Sequence, residues 1–172
     1  MAEIKSTLDL IMERTKGLEL SDAEKAEIRL REATGTVRGW LQKLRDGLLS
    51  PDALRSLYAE ALNRSPEVRD VMKTALMDRI TLDKDGGDAV ALCETLLDIP
   101  PAPLQDLRLS FLKRLDHAED AAKRSARTRL AERGISGDAA VPNPFADPSW
   151  SETCTAIEAD FLRARRAIAD TL

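Results

Sequence analysis

The side chains of this sequence that carry chemistry fall into four groups, each pointing to a different use. Counted from Asp83, the segment DKDGGDAVALCE sets Asp83, Asp85 and Glu94 at positions 1, 3 and 12 of a calcium-binding loop, with the apolar Val90 at position 8. Position 5 is Gly87 and position 6 is Asp88, which reverses the order of ligand and tight-turn glycine that such a loop requires. The simpler expectation is that Gly86 and Gly87 make a turn and Asp88 caps the helix that follows. The single histidine, His117, lies in RLDHAEDAAKR. A phosphoryl-accepting histidine needs a basic neighbour to steady the incoming anion, whereas Asp116, Glu119 and Asp120 surround this one and repel it. A surface histidine is expected.

The third group is basic. Lys123, Arg124, Arg127, Arg129 and Arg133 stand against one acid, Glu132, and Arg163, Arg165 and Arg166 form a second cluster. If the helices carrying them pack together, the two clusters make one surface suited to a phosphate backbone. Against that use, the formal charge is -4, the aromatics that stack on bases are few, and no recognition-helix spacing is present. The fourth group is Cys93 and Cys154, too far apart for a zinc knuckle and read as reduced thiols of a cytoplasmic protein. No phosphate-binding glycine loop, HExxH or GxSxG occurs, so neither a cofactor nor a catalytic residue is expected.

The elements that must position these groups are helical. In 172 residues, 43% apolar and 33% charged, alanine and leucine far outnumber the β-branched valine and isoleucine. Eight glycines and eight prolines supply little turn chemistry for a many-stranded fold. No apolar run approaches the ~20 residues of a membrane span, and the amino-terminal stretch lacks a signal-peptide core, so no membrane partner is expected.

Along the chain, a first amphipathic helix is expected over Glu3–Lys16, stopped by Gly17, with Ile4, Leu8, Ile11 and Met12 on one face. Ser21 and Glu24 form a capping box for a second helix, whose seam is Ala26, Leu30, Ala33, Val37, Trp40 and Leu44. Gly35 and Gly39 lie almost opposite that seam. Either the helix kinks or breaks there, the favoured reading, or a second element packs closely on that side. Ser50-Pro51-Asp52 and Ser65-Pro66-Glu67 each place a cap, a first-turn proline and an acid at a helix start. A short helix carrying Val90, Cys93, Leu96 and Leu97 ends before Pro100, and the longest helix runs from Pro103 to about Arg133. Residues 134–148 are a loop in which Phe145 tacks the chain down. The last helix begins near Ser149 with Trp150, Cys154, Ile157, Phe161, Ala164 and Ile168 on one seam.

The opening EIKSTLDLIMERTKGLELSDAEK resembles the start of a group of small, functionally uncharacterised bacterial helical proteins. The resemblance implies a cytoplasmic bacterial protein and supplies no catalytic motif.

These readings combine into an all-α chain of about seven helices, a helical bundle with a long C-terminal antiparallel helix hairpin. Residues 1–100 form its N-terminal part and 101–172 the long helix, loop and final helix, together one domain. The expected function is a protein-interaction or structural module without catalysis. Its contacts run through Val37, Trp40, Trp150, Ile157, Phe161 and Ile168, to a second copy in a two-fold dimer or to another helical protein. A second reading is nucleic-acid binding through Lys123, Arg124, Arg127, Arg163 and Arg166. A third is an enzyme with no sequence signature.

Overall fold

The computed structural model describes residues 21–83, 85–135, 137 and 141–172. Among them are six α-helices, one 3-10 turn and no strand. The helices are α1 (Asp22–Arg45), α2 (Pro51–Arg64), α3 (Glu67–Arg79), α4 (Asp85–Leu97), α5 (Pro101–Glu132) and α6 (Pro148–Thr171), with the 3-10 turn at Pro144–Ala146. The helix expected over 3–16 lies outside the described residues. Two compact units, Met1–Met72 and Lys73–Leu172, divide the chain inside α3.

In the first unit the capping box forms as its spacing requires. The Ser21 hydroxyl accepts from the Glu24 amide at 3.2 Å, and the Glu24 carboxylate accepts from the Ser21 amide at 2.7 Å. Ser50 caps α2 through the Ala53 amide, and Pro51 in the first turn gives up no hydrogen bond because that N–H has no helical partner. The second serine behaves differently. Ser65 donates its hydroxyl to the Glu67 carboxylate at 2.7 Å, orienting that acid at the start of α3. No break or gap interrupts α1 at Gly35 or Gly39. Its buried residues are Ala33, Val37 and Leu41, joined in the unit's core by Leu54, Tyr58, Val68 and Met72. Each large apolar side chain so buried contributes about 1.5–3 kcal/mol.

In the second unit a tight turn leads into α4. Glycine residues 86 and 87 belong to the first turn of α4, and the residue that accepts from it is Asp83, not Asp88: its carboxylate takes the Gly86 amide at 3.2 Å and the Thr81 hydroxyl at 2.6 Å. A Cβ on Gly86 would stand 2.0 Å from the Thr81 carbonyl oxygen, so only glycine lets the backbone pass there. Arg108 of α5 locks this turn, donating to the Thr81 carbonyl at 2.9 Å and to the Asp83 carbonyl. Val90, Cys93, Leu96 and Leu97 are all buried, as their spacing predicts. α4 ends on Asp98 in the left-handed region (φ 57°), with the Ile99 amide closing back on the Cys93 carbonyl. α5 starts two residues before Pro103, because prolines at 101 and 103 both fit a first turn. Phe111 meets Phe161 of α6 edge to face at 5.5 Å, and Arg114 covers the Phe111 ring while pairing with Asp160 at 2.9 Å.

Candidate interaction surface

The described residues of the first unit leave one side of α1 uncovered. Where α1, α2 and the start of α3 diverge lies a groove of about 420 Å³. Its apolar lining includes Ala33, Trp40, Leu57, Ala61 and Val68, with Arg29, Glu32, Glu60 and Arg64 around it. Ala33 and Val68 are buried, while Trp40 is half-buried and Leu57 lies at its mouth. The surrounding charges are largely matched: Arg29 pairs with Glu67 at 3.0 Å, and Arg64 with Glu60. Ser65 and Arg29 together hold the Glu67 carboxyl below its ordinary range, the serine hydroxyl having the larger effect. Glu32 has no ion-pair partner among the described residues.

Beside the groove, α1 presents Ile28, which is 42% exposed, Glu32, Gly35 and Gly39. No described residue comes within 4 Å of a Cβ built on either glycine. The helix does not break there, and no described residue packs closely on that side. Leu30, at the start of the predicted seam, is 50% exposed, and Leu41, which the seam omits, is buried. The contact surface is therefore rotated away from the seam. Of the two interaction residues predicted on α1, Val37 is buried and Trp40 lines the groove.

The other predicted interaction residues are used inside the second unit. Ile157 and Phe161 are buried, and Trp150 and Ile168 are half-buried. Their seam closes against α5, where Ala122 and Ala126 are buried and Phe111 meets Phe161. Phe145 does not tack the loop down; it is 78% exposed, with its ring edge-on to Trp150 at 6.1 Å. The anchor of that loop is Asp147. It is buried, caps the Ser149 amide at 3.0 Å and pairs with Arg129 at 3.3 Å. A small cavity of about 260 Å³ lies beside it, lined by Ala118, Ala121, Ser125, Trp150 and Thr153 among others.

The basic residues are not gathered into one surface. The Phe111–Phe161, Arg114–Asp160 and Arg129–Asp147 contacts set Arg163 and Arg166 level with the region around Arg108 and Phe111. Lys123, Arg124 and Arg127 are level with the first turn of α6, about 20 Å away along the helices. Lys123 pairs with Glu119 at 2.7 Å and Arg163 with Asp160. Arg165 points inward and is spent on α3.

The calcium-loop reading fails on backbone geometry. Asp85 and Glu94 stand on the helix α4, about 13 Å apart along its axis, and Asp83 is engaged by Thr81 and Gly86. Among the described residues no group of three potential ligands converges on a point. His117 is exposed. Burial pushes the Cys93 thiol up to about 11, away from the thiolate that a nucleophile needs. No helix among the described residues is long and apolar enough to cross a membrane. No protein-family model, curated protein or solved structure matches this chain.

Proposed function

We propose that this chain is a helical protein-interaction module that works by binding and not by catalysis, and that its contact surface is the open side of α1 with the adjoining groove. The observation that carries this reading is the groove itself. An apolar floor of Ala33, Trp40, Leu57, Ala61 and Val68 inside a rim of paired charges has the composition that receives an amphipathic helix. The rim pairs keep the surface soluble when empty, and Glu32 offers a free carboxylate to a basic side chain of the incoming helix.

In the same reading α5 and α6 form the long antiparallel hairpin of the second unit. Three contacts whose order reverses along the two helices support it: Phe111 with Phe161, Arg114 with Asp160 and Arg129 with Asp147. The two free cysteines, one of them buried, accord with a reducing compartment such as the cytoplasm.

A photo-crosslinking side chain placed at Thr36, exposed beside the groove, tests the proposal in the source cell. A discrete adduct is expected from Thr36 and none from the exposed Thr128 of α5. Absence of any adduct at Thr36 overturns the proposal.

A further inference from the structure

We draw no further inference here: the strongest candidate, the surface patch that Phe145 on the 3-10 turn Pro144–Ala146 makes with Trp150 at the start of α6, is apolar and exposed at Phe145, but nothing in the described residues shows what covers it.

Discussion

Arg165 of α6 sits 3.1 Å from the Asp78 carboxylate, and the same guanidinium lies 3.1 and 3.0 Å from the backbone carbonyls of Asp78 and Ile80. One side chain thus satisfies carbonyls at the end of α3 and ties them to the last helix. Its side chain is 13% exposed, so water replaces it poorly. Arg165→Met should cost about 1.5–3 kcal/mol in denaturant unfolding, the scale for hydrogen bonds to a charged group. Arg165→Lys should recover little of this, because a single ammonium cannot span three acceptors as a planar fork does. A loss within 0.5 kcal/mol would count against the role.

Gly86 should be the least replaceable glycine in the described chain. Its neighbour at 2.0 Å is backbone, the Thr81 carbonyl oxygen, which cannot rotate away as a side chain can. Gly86→Ala should therefore destabilise by about 1–3 kcal/mol and lower the melting temperature. The Arg108 contacts to the same turn should loosen with it, visible as faster amide exchange around Thr81 and Asp83.

Asp147 gives the second unit an acid limit. The Ser149 hydroxyl, then the Ser149 amide, the Ser125 hydroxyl and Arg129 hold its carboxyl below the ordinary 3.8. A carboxyl lowered on folding contributes its stability in full above the ordinary value and loses it as pH falls towards the lowered one. Melting temperature should thus fall on acidification through and below pH 3.8. Asp147→Asn should be less stable at neutral pH and show a shallower acid slope. An unchanged slope would remove Asp147 from the account.

Much of this was legible in the residues. The Ser21–Glu24 box, the Ser50-Pro51 start and the buried set of α4 each involve neighbours within a few positions, where spacing alone fixes geometry. What escaped reading is long-range or rotational. Arg165 looks like one more member of a basic cluster until its partners, 85 and 87 residues away, are known. Leu41 lies one position from the predicted seam, and a strict heptad line misses the wider stripe that α1 buries. Gly-Gly reads as a turn, which puts the capping acid at Asp88 in place of Asp83, and only the close approach of Gly86 to Thr81 explains the glycine at that position inside a helix. Gly35 and Gly39 are recognisable as anomalies in the sequence, but only coordinates show that the helix runs on unbroken and that no described residue approaches them.

Cys93 should be silent to thiol reagents in the native state. Burial alone raises its thiol to about 11, and it is fully enclosed. Cys154 is half-buried and also raised, first by burial and then by Glu158 and Glu119. Alkylation at pH 8 should label Cys154 slowly and Cys93 only upon unfolding, which mass spectrometry of digested protein separates. Rapid native labelling of Cys93 would mean the core around α4 opens readily.

The prolines at the starts of α2, α5 and α6 have a kinetic consequence. No cis peptide bond occurs among the described residues, so all eight prolines follow trans bonds. In an unfolded chain each such bond is cis about 10–30% of the time, which leaves only about 5–45% of molecules all-trans. The remainder must isomerise, over tens of seconds, before every helix start can form. Refolding should split into a fast phase and a slow one that a prolyl isomerase accelerates. A brief unfolding pulse, too short for isomers to equilibrate, should abolish the slow phase.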